Sequence, residues 1–336
     1  MLSYSIELLF NVKNLRIFMF IEKYFVTHYL VTYLNDNKEK VEIMVPNLEG
    51  KVLFWHDIKA LAINYIKENT NCLVPIIQRK FEYYGICAFC DEFNILKKSH
   101  AIPFSIFKGL LKKIDGGQPI VIKTSESKLM RDSDTWAIQQ LCGECEKYFN
   151  DNYEKYSIDT LRGKNPDVKV TKFSSGISFK DMDQNRVAKY FLSVYWRAAL
   201  SIHPSYSSVM IFPEFNTYIK AILRSDNDIH NKVINIRMFN LFDEDKELSD
   251  EAISSFMVSP FTRIENKCLT FCLKLESYYV EIKISKLSYK EKLKKGYLLN
   301  NRQILFIENR GIFSIKEILH NFVHGKFLHE NAPSKA

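Results

Sequence analysis

The chain has 336 residues, of which 46% are hydrophobic and 14% are aromatic. This length is typical of about two domains, and the apolar content excludes a disordered chain because it is ample for packed cores. The formal net charge of +8 suits a polyanionic partner such as nucleic acid, although the same charge also keeps a protein soluble.

The N-terminal residues lack the pattern of a secretory signal. The apolar run Tyr4–Phe10 is followed by Asn11, Lys13 and Arg16 rather than by a small-residue cleavage site. The sequence also lacks the ~18–20 uninterrupted apolar residues of a membrane span. We therefore expect a cytoplasmic protein without a membrane partner, in which paired cysteines serve metal or redox chemistry rather than disulfides.

Residues 1–80 are predicted to form a small N-terminal α+β lobe. Two runs of strand-forming residues, His28–Leu34 and Val41–Val45, flank the polar turn Asn35–Lys38. A helix is predicted over Ile58–Lys67, with Asp57 as its cap and apolar Leu61, Ile63 and Ile66 along it.

Helices follow the region that contains the paired cysteines. The stretch Gly163–Lys180, with its serines, glycines and proline, is the best candidate for a linker. Apolar residues at helical spacing then predict a helix over Gln184–Ile202, and a second helix is predicted over Glu214–Arg224. We therefore expect a zinc-binding domain over 81–163 and a segment of linker and helices over 164–229.

Residues 230–336 are predicted to form a C-terminal α+β lobe. Apolar and polar residues alternate in Leu269–Leu275 and in Val280–Ile284, which is typical of half-buried antiparallel strands. A last helix is predicted to begin at Ser314, because Ser314 and Glu317 have the spacing of a capping box.

Four of the seven cysteines form two CxxC pairs, Cys87-Ala-Phe-Cys90 and Cys142-Gly-Glu-Cys145. Zinc in structural sites takes four tetrahedral ligands, and a CxxC turn places two thiolates on one ion with little backbone strain. Because a catalytic zinc keeps one position open, four cysteines indicate a structural metal. A thioredoxin-like redox role is less favoured, since neither pair lies in a recognisable βαβ unit.

Two further motifs accompany the cysteine pairs. Ser99-His100-Ala-Ile-Pro103 follows the first pair, and Glu146–Glu154, a predicted helix, follows the second. This layout resembles the HNH, or His-Me finger, nucleases that carry zinc knuckles. The resemblance implies an α+β fold with a zinc-stabilised ββα-type module in which a strand ends at His100. It also implies that His100 is the general base and that one divalent cation, Mg²⁺ or Mn²⁺, stabilises the transition state of phosphodiester hydrolysis.

The sequence departs from the family pattern at three positions. Ser99 stands where the family usually has a metal-binding Asp or His. The expected Asn falls near Ala137 or Ile138, which have no polar side chain. Glu146 stands where an Asn or His is expected after the second cysteine pair.

Glu146, Asn150 and Glu154 could supply the ligands that these departures remove. Their i, i+4, i+8 spacing places them on one stripe of a helix, where two carboxylates and an amide offer oxygen ligands suited to Mg²⁺ or Mn²⁺. A solvated polar face is the alternative, since Lys147 and Asp151 belong to the same helix.

The chain also resembles a group of bacterial proteins of unassigned function. The likeness rests on the Ser-His-(x)-Ile-Pro step, the Leu-Cys-x-x-Cys-Glu pair and a Leu-Ser-x-x-Trp-Arg helix, which is Leu192–Arg197 here. Trp196 and Arg197 are expected to pack this helix onto the zinc domain. A phosphate contact made by Arg197 is the alternative.

Other residues have side chains that could contact phosphate or bind a metal. Lysines near His100 in the sequence are candidates for phosphate contacts, namely Lys97, Lys98, Lys112 and Lys113. His320 and His324 have the i, i+4 spacing of zincins, but the sequence between them lacks the catalytic Glu, so we interpret them as a surface pair. Cys268 and Cys272 share one face of a predicted strand and are interpreted as structural.

The sequence is therefore compatible with two functions. The chain is either a metal-dependent nuclease with His100 as base, or a catalytically degenerate zinc module that binds nucleic acid or a protein partner. The two hypotheses differ in whether an acidic or amide side chain lies within metal reach of His100.

Overall fold

The structure is a computed structural model. It describes residues 4–12, 15–22, 25–34, 40–46, 83–113, 119–124, 128–229, 233–265, 268–300 and 302–330. Up to residue 46 only the strands and their pairing are described, and the helix predicted over Ile58–Lys67 lies outside the described residues. The chain divides into two compact units, one of 1–97 with 141–143 and one of 98–140 with 144–336.

The first unit begins with an antiparallel sheet whose strands pair in sequence order. The strands described in it are β1 (Tyr4–Val12), β2 (Leu15–Glu22), β3 (Phe25–Leu34) and β4 (Lys40–Pro46). Leu34 pairs with Lys40, so the two strands predicted here are confirmed, whereas the predicted turn Asn35–Lys38 lies outside the described residues. The sequence analysis did not predict β1 and β2. In β1 the alternation of apolar and polar residues covers only Tyr4–Leu8, and in β2 the uninterrupted apolar run Ile17–Ile21 shows no alternation.

The next two strands flank the first cysteine pair. β5 (Tyr83–Ile86) pairs in antiparallel fashion with β6 (Phe93–His100). The chain then forms α1 (Phe104–Lys113) and an antiparallel pair of short strands, β7 (Ile120–Lys123) and β8 (Lys128–Arg131). His100 is therefore the last residue of a strand.

A strand and a long helix carry the second cysteine pair. β9 (Ala137–Cys142) lies next to β6 in its sheet and passes directly into a helix. That helix comprises α2 (Gly143–Phe149), a π-helical turn (Asn150–Glu154) and α3 (Lys155–Leu161).

A buried helix, α4 (Gln184–Leu200), lies in the second unit and is covered along almost its whole length. Its first turn is capped by Asp183, whose side chain accepts from the N–H of Arg186 at 2.9 Å. The helix predicted over Gln184–Ile202 is thus confirmed. The second predicted helix is also confirmed and corresponds to α5 (Pro213–Arg224).

A large sheet completes the second unit, mostly from its C-terminal residues. In spatial order the strands described in it are β10 (Lys169–Phe173), β11 (Gly176–Lys180), β17 (Ile304–Gly311), β12 (Ile234–Phe242), β16 (Tyr278–Ile284), β15 (Cys268–Leu275) and β14 (Phe261–Glu265). The remaining described elements are α6 (Asp250–Ser254), β13 (Met257–Val258), α7 (Tyr289–Lys292) and α8 (Lys316–Glu330). All neighbouring strands of this sheet are antiparallel except β12 and β17.

The linker predicted over Gly163–Lys180 is wrong from Lys169 onward, where the chain forms the hairpin β10–β11. β11 then pairs with β17, so this hairpin belongs to the large sheet. Gly176 makes the pairing possible, because a Cβ at this position would lie 2.0 Å from the carbonyl oxygen of Ile307. The glycine that suggested a linker therefore permits close strand packing.

β15 and β16 are confirmed as antiparallel strands, but they are buried on both faces rather than half-buried. Their polar side chains find internal partners instead of water. Lys274 donates to the carbonyl oxygens of Phe256 at 2.7 Å and Glu276 at 2.9 Å. Glu281 accepts from Arg263 at 2.8 Å and Arg310 at 2.9 Å.

The two cysteines of β15 are consistent with a structural role. The Cys268 thiol lies 3.1 Å from the hydroxyl of Ser285. Burial raises the pKa of Cys272 to about 12, so its thiol is protonated and unreactive at neutral pH.

The last helix is confirmed, but its predicted cap is wrong. α8 begins at Lys316, and the hydroxyl of Ser314 donates to the carbonyl of Gly311 at 2.6 Å instead of capping the helix. A capping box does form at Ser288 and Glu291, where each side chain meets the backbone of the other residue. The mixture of sheets and helices confirms the α+β class.

Candidate functional site

The four paired cysteines converge. The sulfur atoms of Cys87, Cys90, Cys142 and Cys145 all lie within 4.8 Å of one another. Those of Cys90 and Cys142 are 3.9 Å apart. Two thiolates on a tetrahedral zinc with bonds of about 2.3 Å would lie about 3.8 Å apart. The cluster could therefore hold a metal ion such as zinc.

Two local structures bring these thiols together. The first pair lies in the turn between β5 and β6, where the Cys87 N–H donates to the Glu92 carbonyl at 2.8 Å and the Asp91 N–H donates back to Cys87 at 3.0 Å. Asp91 closes the turn with a φ of 65°. In the second pair, Cys142 ends a strand and Cys145 lies in the first turn of a helix.

Backbone donors favour the thiolate form of Cys87. Burial opposes its charge, but N–H groups of Cys142, Cys90 and Phe89 outweigh burial and lower the pKa of the thiol. The Cys142 N–H lies 3.3 Å from the Cys87 sulfur. Since zinc binds the thiolate, these donors suit a metal site. Within the part of the chain that the structure describes, no other group of three or more His, Cys, Asp or Glu residues is close enough to share an ion.

His100 is half-buried at the end of β6. Its Nε2 lies 3.2 Å from the hydroxyl oxygen of Thr135, and its ring centre lies 5.5 Å from that of Phe104. Burial lowers the pKa of His100 below its ordinary value of 6.5, and the positive charges of Arg197 and Lys98 lower it further. The imidazole is therefore mostly neutral at pH 7, as a proton acceptor must be.

Thr135 lies in a loop that sequence reasoning did not single out. In this loop Asp134 Oδ2 lies 2.8 Å from His203 Nε2, and Asp134 Oδ1 accepts from the N–H of Trp136 at 3.0 Å. His203 Nδ1 accepts from the N–H of Ser205 at 3.1 Å, so both ring nitrogens have partners. The pair was invisible in the sequence because Asp134 and His203 are 69 positions apart and belong to no motif.

Glu146 and Glu154 surround one buried cation. Arg197 is 1% exposed and donates to Glu154 at 2.5 Å, and it also attracts Glu146. Burial raises the pKa of Glu146, against the opposing effects of Arg197 and of a hydrogen bond with Ser99. Among the described residues, Glu146 Oε1 is buried without a hydrogen-bond partner. Arg197 also lowers the pKa of His100, so the same buried guanidinium acts on the imidazole and on both carboxylates.

The predicted stripe of Glu146, Asn150 and Glu154 is not regular. The two glutamates are partly buried, whereas Asn150 is exposed and its amide nitrogen lies 3.0 Å from Asp151 Oδ1. The cause is the π-helical turn, whose wider winding rotates the positions that follow Phe149 relative to an α-helix. Asn150 and Glu154 nevertheless line one cavity.

This cavity is a pocket of about 330 Å³ between the start of α1 and the helix that follows β9. Phe104 lines it and packs on His100, so the pocket and the imidazole are neighbours. Asn150, Glu154, Lys155 and Asp159 contribute polar groups to the same pocket.

The predicted phosphate-contacting residues differ in accessibility. Lys97 and Lys98 are exposed, whereas the side chains of Lys112 and Lys113 lie outside the described residues. Arg197 is a correction: its guanidinium is buried, bound to Glu154 and 5.1 Å from the ring centre of Phe149, so it packs α4 against α2 and is not presented to a phosphate at the surface.

The C-terminal histidine pair is only partly described. His320 is exposed on α8, and the side chain of His324 lies outside the described residues.

No family model, curated protein or solved structure matches the chain. Of the helices in the described ranges, none combines the length and the apolar character that crossing a bilayer requires.

Proposed function

We propose that this protein is a divalent-metal-dependent nuclease in which His100 is the general base and the four cysteines hold a structural zinc. The observation that carries the proposal is the environment of His100. It ends a strand, is mostly neutral at pH 7, and packs on a phenylalanine that lines a pocket shared with Asn150 and Glu154. A neutral imidazole beside carboxylate and amide oxygens has the groups needed to activate water for attack on a phosphodiester.

The order of elements supports this proposal. β6 ends at His100, β9 lies beside β6, and the helix after β9 carries Glu146 and Glu154. Zinc-knuckle HNH nucleases have a strand–strand–helix order of this kind, into which α1, β7 and β8 would be inserted here. Zinc on the four thiolates would stabilise both ends of the arrangement.

Each group has a proposed task. In the tautomer that serves a base, the Nε2–H of His100 donates to Thr135 and the Nδ1 lone pair accepts a proton from water. Thr135 thus orients the imidazole, which Ala137 and Ile138 cannot do. Glu154 and Asn150 would offer oxygen ligands to Mg²⁺ or Mn²⁺, with water completing the coordination.

One observation favours a second function, a non-catalytic zinc module that binds nucleic acid or a protein partner. Arg197 already neutralises Glu154 and attracts Glu146. If this guanidinium keeps the carboxylates from a divalent cation, the fold would retain the scaffold without the chemistry.

Cleavage assays decide between the two functions. Zinc-loaded protein is incubated with plasmid DNA and with RNA in Mg²⁺ or Mn²⁺, and His100→Ala is compared with His320→Ala, a histidine on the exposed face of α8. We expect His100→Ala to lose about 100- to 10,000-fold in rate with unchanged zinc content, and His320→Ala to cut normally.

Equal cleavage by His100→Ala and wild type would place the active site elsewhere. Absence of cleavage by the wild type in every divalent metal would favour the non-catalytic module.

A further inference from the structure

The pocket beside His100 is small and has an exposed aromatic side chain in its wall. Its size, about 330 Å³, is at the lower end of the roughly 300–1,000 Å³ found for small-molecule sites, so it could take one nucleotide but not a duplex. Phe104 lines the pocket, and its large apolar side chain is 48% exposed.

Phe104 is placed to stack with a flat ligand next to the catalytic base. It is the first residue of α1, and one part of its ring contacts the imidazole of His100 at a centroid distance of 5.5 Å. An aromatic ring that is half-exposed beside polar groups offers a nucleobase a face to stack on.

The polar lining of the pocket suits the edge of a base. Asn150, Lys155 and Asp159 supply donors and acceptors. Arg162 shapes the wall, since it is bonded to Glu276 at 2.7 Å and to the Ser105 carbonyl at 3.2 Å.

Lysines follow Phe104 along α1. Lys108 is exposed and follows Phe104 by four residues, so the two side chains share one face of the helix. Lys112 continues the same i+4 spacing in the sequence. An exposed aromatic ring followed by lysines along one face offers both the stacking surface and the positive charge that single-strand sites use.

We propose that Phe104 is the stacking platform of a single-stranded nucleic-acid site, with one unpaired base in this pocket and its backbone running along Lys108. In a duplex the faces of each base are covered by its neighbours, so a base could reach Phe104 only after extrusion. This inference rests on the proposed function for its substrate class, but binding can be measured without cleavage.

Fluorescence anisotropy tests the site on the zinc-loaded full chain without added divalent metal. The probes are labelled 12-nucleotide single strands of DNA and of RNA, and a hairpin duplex of matched length. We expect the single strands to bind more tightly than the duplex. Phe104→Ala should weaken single-strand binding by about 5- to 150-fold, and Phe104→Trp should restore it.

Phe173→Ala is the matched control, because this phenylalanine of β10 is 53% exposed and lies outside the pocket. It should leave the affinity unchanged, and Lys108→Ala should reduce the salt slope by about 0.7. Comparison of the DNA and RNA probes identifies the nucleic acid.

The outcomes separate this site from the nuclease proposal. Phe104-dependent binding without cleavage in Mg²⁺ would uphold the site and refute the nuclease. Cleavage with equal affinity for duplex and single strand, unaffected by Phe104→Ala, would refute the site and leave the nuclease intact. Equal weakening by Phe173→Ala would also refute it, because the loss would not be specific to the pocket.

Discussion

At the scale of single residues, the environment of His100 determines its protonation. The pKa of a free histidine would leave the imidazole partly charged near pH 6.5. Burial, Arg197 and Lys98 all disfavour that charge, and only Asp134 opposes them. The neutral form is therefore stabilised first by burial, then by Arg197, which is distant in the sequence, and by the neighbouring Lys98.

The lowered pKa of His100 predicts the pH dependence of cleavage. If neutral His100 is the base, kcat should fall on the acid side of the profile as the pH drops through the lowered pKa, and this acid limb should be centred below pH 6.5. Lys98→Glu replaces a positive charge that lowers the pKa, so it should move this acid limb to higher pH. The measurement is kcat against pH at low ionic strength, where exposed charges are least screened.

Lys316→Glu, on α8, makes the same change in net charge and is the control. It should leave the acid limb of the kcat–pH profile at the wild-type pH. An acid limb centred above pH 6.5 in the wild type would contradict the assignment of His100 as the base.

Arg197 should be a major contributor to stability. Replacement by Met keeps an apolar stem but leaves Glu154 and Glu146 without their cation, and breaking a buried pair of this kind typically costs about 3–5 kcal/mol. We expect a loss of this size in the free energy of unfolding measured with denaturant. Adding Glu154→Gln to Arg197→Met should recover part of the loss.

Arg162→Met is the matched control, because its pair with Glu276 is more exposed, at 23% and 21% for the two side chains. Pairs near the surface contribute about 0–1 kcal/mol, so this variant should lose less. Equal losses for the two arginines would show that burial of the Arg197 pair is not decisive.

At the scale of elements, the cysteine cluster joins a strand turn to a strand–helix junction. One of these elements is short, since β5 has 4 residues. Short elements of this kind are only marginally stable by themselves. A metal that binds both pairs would fix their geometry by ligand bonds.

Cys142→Ser should therefore remove the metal and unfold the region around it. A structural zinc supplies folding free energy of order 10 kcal/mol, which these elements cannot replace. We expect about one zinc per chain in the wild type and much less in the variant, measured by elemental analysis together with thermal unfolding.

Cys268→Ser is the control, because this cysteine lies outside the cluster and contacts Ser285. It should keep its zinc. Well-folded wild-type protein that contains no metal would contradict a structural zinc site.

At the scale of the whole molecule, the large sheet crosses the boundary that the sequence suggests near residue 230. β11 lies before that boundary and β17 after it, yet the two strands pair along their length. Tyr278 extends the connection, since its hydroxyl donates to the Leu161 carbonyl at 2.7 Å. The predicted segment 230–336 is therefore linked by hydrogen bonds to both of the predicted segments before it, 164–229 through β11 and 81–163 through Leu161.

Gly176→Ala tests this connection. The new Cβ would meet the Ile307 carbonyl oxygen at 2.0 Å, so β11 and β17 would have to separate. We expect a loss of stability above the roughly 1–2 kcal/mol that a strained backbone alone costs, measured by denaturant unfolding.

Gly163→Ala is the comparison variant. Gly163 also has a positive φ, 65°, but nothing lies within 4 Å of its would-be Cβ. Gly163→Ala should lose only the stability that the strained backbone costs. A loss at Gly176 no larger than that at Gly163 would show that the strand pairing is not required.

The sequence by itself determined the local features of this protein. The paired cysteines, the helices at Gln184 and Glu214 and the strands at Leu269 and Val280 were all readable, because CxxC spacing and hydrophobic periodicity depend on neighbouring residues. The position of His100 at the end of a strand was readable too, through its motif.

Tertiary structure alone decided the features that depend on distant residues. The Arg197–Glu154 pair, the Thr135 contact of His100 and the pairing of β11 with β17 join positions 43, 35 and over one hundred residues apart. The same holds for the polar residues of β15 and β16, whose partners replace water and allow both faces to be buried. No local pattern encodes such contacts, because their energy arises only when separate elements pack and exclude solvent.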